Sequence, residues 1–336
     1  CPVTEKDPGQ ILFSSMGRVG PIALMSDLNA DFYIVKEESN KETRIYQKVI
    51  PHIAPYLHLL KTETLDKIPG QEFKSPGSPY PNGKYAVSCY TIDWGQYDIV
   101  ISINISLPTQ LILKYPQTLF AYMIGEANMA TGKARFGYDA TLNQMARGRI
   151  SHKCGAIDFP YTFVAKDTLE KIMQQYLGRP STRKGIFMEI NSTTERPVTR
   201  IPDHFQPLAD AGYEIILHQQ KIADNLKNIY DAKYFVKMGG RSIRGNSVAE
   251  AVSLGTLAIM NRDEVIHHEL IIDECNVKTM DEMISLINRL ENDPELYRTL
   301  QQKQRQVLHT YFFDAPLQSL INKKKKKRGL SKPRTY

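Results

Sequence analysis

The chain has 336 residues, 42% of them apolar and 24% charged, the proportions of a globular protein and not of a disordered, collagen-like or disulfide-stapled one. At about 150 residues per domain the length points to two domains, and the longest apolar runs, such as Ile99–Ile105, fall well short of the roughly 20 residues that span a bilayer. The net charge is +7, but the run Lys323–Arg328 alone carries six positive charges, so the body is nearly neutral and lacks the broad basic face of a nucleic-acid binder.

Ile11–Ser14 reads as a first strand, ending in the glycine-containing turn Ser15–Pro21. Phe32–Val35 reads as a second strand, and Ile45–Leu60 as a helical pattern broken by Pro51 and Pro55. Residues 67–84, dense in Pro and Gly, read as a loop. Asp98–Asn104 is a buried strand, Pro108 opens a short helix, and Leu119–Ile124 is a strand that ends at Gly125-Glu126. After a helix over 166–177 and a polar junction at 178–185, the alternation resumes. Ile186–Ile190, Tyr213–Leu217, Lys233–Val236 and Thr256–Met260 read as strands, with helices near 199–210 and 223–230. Met280, Met283, Ile284, Ile287 and Leu290 recur at helical spacing, and Asp293-Pro294 opens a further helix bearing Leu296, Leu300, Val307 and Leu308. Strands alternating with helices predict parallel βαβ units, an α/β fold in two successive halves.

Cys1, Cys89, Cys154 and Cys275 form no CxxC pair, so reduced thiols and a cytoplasmic location are expected. Asn104-Ile-Ser106 and Asn191-Ser-Thr193 fit the glycosylation sequon, but both follow expected strands and are read as chance matches. His267-His268-Glu269 is the nearest thing to a metal motif. Adjacent residues point apart and rarely chelate together, so no metal is expected.

The segment Met238-Gly-Gly-Arg-Ser-Ile-Arg-Gly-Asn-Ser-Val-Ala-Glu-Ala-Val-Ser-Leu-Gly255 carries the most chemistry. It reads as a glycine-rich loop running into a helix that Ser247 caps and Gly255 stops. Such a loop presents unpaired backbone N–H groups, and the helix dipole adds positive potential. Gly239, Gly240 and Gly245 allow close approach, Arg241 and Arg244 can fork onto phosphate, and Ser242 and Ser247 supply hydroxyls. The set suits a diphosphate. Glu250, one turn into the helix, is placed to accept from ribose hydroxyls.

Strand, glycine-rich loop and Ser247-Val-Ala-Glu250-Ala-Val-Ser-Leu-Gly255-Thr-Leu-Ala-Ile-Met260 resemble the donor-domain signature of GT-B glycosyltransferases. The two arginines resemble those of exostosin-like members. The family form has two glutamates separated by seven residues, and Ser242 stands where the first would be. The resemblance implies two Rossmann-like domains facing across a cleft. Residues 1–165 would form the acceptor side and 166–310 the nucleotide-sugar donor domain, with a helix and basic tail at 311–336. It implies transfer of a sugar from a nucleotide-sugar to a glycan or lipid-linked glycan hydroxyl, with no cofactor beyond the donor itself. Arg196, His218, Lys221, Gly239, Gly240, Arg241, Ser242, Asn246, Ser247 and Glu250 would line the donor, with Ser15 and Gly17 on the acceptor side. Arg244 and Glu126 are the catalytic candidates, Arg244 on the leaving diphosphate and Glu126 as general base. The alternatives are a sugar-nucleotide epimerase or hydrolase on the same fold, or a non-catalytic binding module. Lys323–Arg328 reads as a solvated, flexible tail that could also touch an anionic membrane surface.

Overall fold

A computed structural model of the chain describes residues 27–34, 55–59, 89–103, 107, 109–124, 137–143, 157–158, 166–189, 199–218, 222–239 and 246–330. The chain divides into two compact units, one of residues 31–43, 57–161 and 314–336, the other of residues 1–30, 44–56 and 162–313.

In the first of these units, β1 (Phe32–Ile34) and β2 (Leu57–Leu59) pair in parallel. The strand at 57–59 replaces the expected helical pattern there: it follows Pro55, which cannot donate a helical hydrogen bond. A separate sheet runs β3 (Ile99–Ile103), β4 (Leu119–Ile124), β5 (Ala140–Asn143) and β6 (Ile157–Asp158), all parallel and in chain order. The short helix α1 (Thr109–Leu113) joins β3 to β4. Cys89, Trp94, Val100, Leu107, Leu111, Ile112 and Phe120 form one buried cluster, flanked by Tyr33, Tyr97 and Tyr138. The polar edges are satisfied locally. Tyr97 Oη donates to Asp31 Oδ2 at 2.5 Å, Asp31 Oδ1 lies 2.7 Å from His58 Nε2, and Trp94 Nε1 donates to the Cys89 carbonyl at 2.9 Å.

The second unit holds α2 (Thr168–Leu177), β7 (Ile186–Met188), α3 (Gln206–Asp210), β8 (Ile215–Ile216), α4 (Ile222–Asp231), β9 (Tyr234–Lys237), α5 (Asn246–Ser253) and β10 (Leu257–Met260). Two longer helices follow, α6 (Met280–Asn292) and α7 (Pro294–His309). The sheet order is β10-β9-β7-β8, all parallel. Every residue of β7, β9 and β10 is buried, as in a parallel sheet covered on both faces. The helix expected near 199–210 is a single turn, Asp203–Phe205, followed by α3, whose first turn contains Pro207. A proline there is tolerated because the missing N–H would have no helical partner.

Small residues let α5 sit close to its neighbours: Val248, Ala249, Ala251, Val252 and Leu254 are all buried. Gly255 ends it at φ +81°, the left-handed conformation that glycine adopts without penalty. Thr279 and Glu282 form a reciprocal capping box on α6, and Asp293 Oδ1 accepts from Leu296 N at the start of α7. Gln304 of α7, itself buried, clamps edge strand β10: its Oε1 accepts from Ala258 N at 2.9 Å and its Nε2 donates to Ala258 O at 3.0 Å. The amide thus replaces a neighbouring strand at one residue of that edge.

After a π turn at Thr310–Asp314 comes α8 (Ala315–Leu330), and here the expectation of a solvated, flexible tail at 323–328 is corrected. Leu320, Lys324 and Lys327 lie at helical spacing; Leu320 and Lys324 are buried, and Lys327 is partly so. Lys327 Nζ donates to Thr118 O and to Asp139 Oδ2, each at 2.7 Å. Lys324 donates to Gln117 O and lies 3.4 Å from Asp98, and Arg328 pairs with Asp98. Burial lowers the pKa of Lys324 while Asp98 opposes that shift. A lysine ends up on the buried stripe because carbonyls and carboxylates of its own unit accept its hydrogen bonds. Lys325 and Lys326 remain exposed.

Candidate functional site

Strand β7 is central: β8 follows it on one side, and β9 and β10 continue on the other. Connections after β7 and β8 therefore leave in opposite directions, and in open α/β sheets a crevice opens outside the strand carboxyl ends where the order reverses. Four segments end there. Glu189 follows β7, His218 follows β8, Lys237 closes β9 before the glycine-rich loop, and the turn Arg262–Glu264 follows β10.

Lys237 is the only charged residue of β9, and it is fully buried. Its Nζ donates to Glu264 Oε2 at 2.6 Å and to Gly239 O at 2.8 Å. Glu264 Oε1 accepts from Gly239 N at 2.8 Å. Gly239 itself has φ +71°. Glu189 is buried, and its backbone N–H donates to Val236 O at 2.9 Å.

His218 is buried, with the Asn225 side-chain amide 3.3 Å from its ring nitrogens and its ring 6.0 Å from that of Phe187. The structure thus anchors His218 through α4. The His204 ring lies tilted against that of Phe205, with centroids 4.5 Å apart. Partial burial lowers its pKa; Asp203 opposes the shift, Lys237 reinforces it, and Glu264 opposes it.

Helix α5 begins at Asn246, so Ser247 lies inside the first turn and is not its cap. With Ser247 as cap the helix would begin at Val248, so it reaches two residues further toward the loop, a difference within the usual spread of helix ends. Ser247 and Glu250 are half-buried, and the α5 N-terminus follows directly on the loop. Among the predicted site residues the structure places His218, Gly239, Asn246, Ser247 and Glu250, all on segments at the carboxyl end of this sheet. Ser15, Gly17, Glu126, Arg196, Lys221, Gly240, Arg241, Ser242 and Arg244 lie outside the described residues.

Lys237, Glu264, Glu189 and His204 were not singled out by the sequence. Lys237 had a legible signal, a lone cation closing an apolar strand immediately before a glycine-rich loop. Glu264 had none, because it meets Lys237 only through the neighbouring strand β10. Burial pushes the thiols of Cys89 and Cys275 up to about 12, which leaves both inert as nucleophiles at neutral pH. Among the described residues no group of three or more His, Cys, Asp or Glu could hold a metal ion, and no helix is long and apolar enough to cross a membrane.

No protein-family model and no curated protein matches the chain. Several solved structures show an overall likeness. A sucrose-phosphate synthase from Thermosynechococcus elongatus is 14% identical, with 91% of this chain and 96% of that one covered and a TM-score of 0.38. A mutant of the T4 phage protein BGT in complex with UDP-glucose is 14% identical, over 72% and 84% of the two chains, with a TM-score of 0.32. A Listeria monocytogenes protein described as a UDP-N-acetylglucosamine 2-epimerase is 12% identical, over 89% and 88%, with a TM-score of 0.40. Likeness at this level assigns neither a family nor a substrate to the chain.

Proposed function

We propose that the chain is a glycosyltransferase that takes its sugar from a nucleotide-sugar bound at the carboxyl end of the β7–β10 sheet. The observation that carries this reading is where the glycine-rich segment begins and ends. It leaves β9 beside the point of strand-order reversal and enters the α5 N-terminus, and its sequence resembles the GT-B donor signature. Helix N-termini and glycine-rich loops favour a diphosphate.

In the proposed reaction the bond between the sugar anomeric carbon and the diphosphate oxygen breaks, and a bond to an acceptor hydroxyl oxygen forms. Negative charge grows on the departing diphosphate, so cations and N–H groups aimed there stabilise the transition state more than the ground state. Arg196, Arg241 and Arg244 are assigned that task, with the loop N–H groups. His218, Lys221, Ser242 and Ser247 would line the donor, and Glu250 would hold the ribose. For an inverting transfer Glu126 is the proposed base that takes the hydroxyl proton. The proposed acceptor is a glycan or a lipid-linked glycan, with Ser15 and Gly17 on that side. Contact with an anionic surface would fall to the exposed Lys325 and Lys326.

Thermal shift against a panel of nucleotides and nucleotide-sugars, with wild type and Arg244→Ala, tests the reading. A selective rise with one nucleoside diphosphate, lost in the variant, supports it. No rise with any of them at about millimolar concentration, roughly −4 kcal/mol of binding, removes it. Binding without turnover on any acceptor would favour the non-catalytic module, a reading that Ser242 at the first-glutamate position keeps in play.

A further inference from the structure

We infer that Lys237 and Glu264 are positioning residues for Gly239, where the chain leaves β9 for the glycine-rich segment, and that they act without touching the ligand. The inference rests on the functional reading above. Both backbone polar groups of Gly239 are held: its carbonyl accepts from Lys237 Nζ at 2.8 Å and its N–H donates to Glu264 Oε1 at 2.8 Å. The two side chains are joined to each other at 2.6 Å. Gly239 is therefore enclosed in a ring of three hydrogen bonds, just past the end of β9 and with φ +71°.

Lys237 has no side-chain exposure and Glu264 has 16%. A fully buried ammonium cannot follow a ligand into solvent, and its charge is offset by the adjacent carboxylate. Its two described bonds both serve the loop. Among the described residues, nothing beyond its chain neighbours lies within 4 Å of where a Cβ on Gly239 would stand, and the contacts described for it are those of the hydrogen-bonded ring. An anion site assembled from backbone N–H groups depends on their orientation, and a displacement of about 1 Å can cost a hundredfold in function.

The deciding variant is Lys237→Met combined with Glu264→Met. Replacing a buried ion pair by apolar side chains of similar volume is often neutral for stability, whereas removing one partner strands a buried charge. Two quantities are read at a temperature well below unfolding: amide hydrogen exchange of residues 238–246, and affinity for inorganic pyrophosphate and for a nucleoside diphosphate panel. The expected result is near-wild-type stability, faster exchange across 238–246, and affinity weakened by about tenfold or more. Wild-type exchange and wild-type affinity in the folded double variant would overturn the inference, since a purely structural pair predicts that outcome.

If the double variant does not fold, Glu264→Gln carries the same two readouts, because it keeps the volume and an acceptor while discharging the pair. Should the wild-type protein bind neither pyrophosphate nor any nucleoside diphosphate, the functional reading falls. Exchange across 238–246 then still decides whether the pair holds the loop.

Discussion

The two ends of the β7–β10 sheet are both tied by ion pairs, but what they hold differs. At the amino end, Glu170 of α2 pairs with Arg183 and with Arg305 of α7. Arg183 also donates to Leu254 O at 2.6 Å, Tyr230 O at 3.1 Å and Thr256 Oγ1 at 3.2 Å. These groups belong to the connections around α2, α4, α5 and β10, so the cluster joins elements of the unit to one another. Arg183 sits at φ +48°, a conformation that a non-glycine residue keeps only when its surroundings fix it. At the carboxyl end the Lys237–Glu264 pair holds the backbone of one loop residue. The same chemistry thus braces the fold at one end and shapes a loop at the other. Mutations in the amino-end cluster should lower stability and leave ligand binding alone, and joint replacement of the Lys237–Glu264 pair should weaken binding and leave stability nearly unchanged.

The largest effect should come from Glu170→Ala, which leaves two guanidiniums, each about one-fifth exposed, without their carboxylate. We expect a loss of about 2–4 kcal/mol in chemical unfolding, with the nucleotide-induced thermal shift kept at its wild-type size. A lost shift would erase the distinction between the two ends. Gln304→Leu comes next. It strips the partner from both the N–H and the carbonyl of buried Ala258 on edge strand β10, for a cost of about 2–3 kcal/mol measured the same way. A neutral substitution would mean that the amide clamp is dispensable.

Gly255→Ala should cost about 1–2 kcal/mol from the left-handed backbone alone. Its Cβ would also collide with the guanidiniums of Arg305 and Arg183, so the loss should shrink when Gly255→Ala is made in an Arg305→Ala background. Strictly additive losses would show that the glycine and the ion cluster are independent.

The smallest effect belongs to His204 at the carboxyl end. Its folded-state pKa lies below the ordinary 6.5, so the folded chain takes up the proton less readily than the unfolded one. The stability linked to this group is whole above pH 6.5 and is lost as pH falls through the lowered folded value. Unfolding midpoints taken across that window should decline less in His204→Gln than in wild type. Parallel declines would show that another group sets the slope.

Much of the second unit was legible in the sequence. Apolar runs located β7, β9 and β10, helical spacing located α6 and α7, and Gly255 marked the end of α5. Covered parallel strands and amphipathic helices write their burial into residue type, so pattern suffices. The strands β5 and β6 were missed, because Ala-Thr-Leu-Asn and a two-residue segment become strand only by pairing with β4. The donor-side candidates His218, Gly239, Asn246, Ser247 and Glu250 came from loop chemistry and resemblance, and the structure sets them on segments at one end of one sheet.

By itself, then, the sequence determined the alternation of strands and helices, the glycine-rich entry to α5 and the near-neutral body, all of which depend on local composition and period. Tertiary structure decided what the charges do. Lys327 reads as one lysine in a run of five, yet it is bonded to Thr118 and Asp139, about two hundred residues away. Glu264 reads as a surface acid, yet it closes a ring around Gly239. A charged side chain is compatible with either solvent or a buried partner, and only the meeting of distant segments supplies that partner.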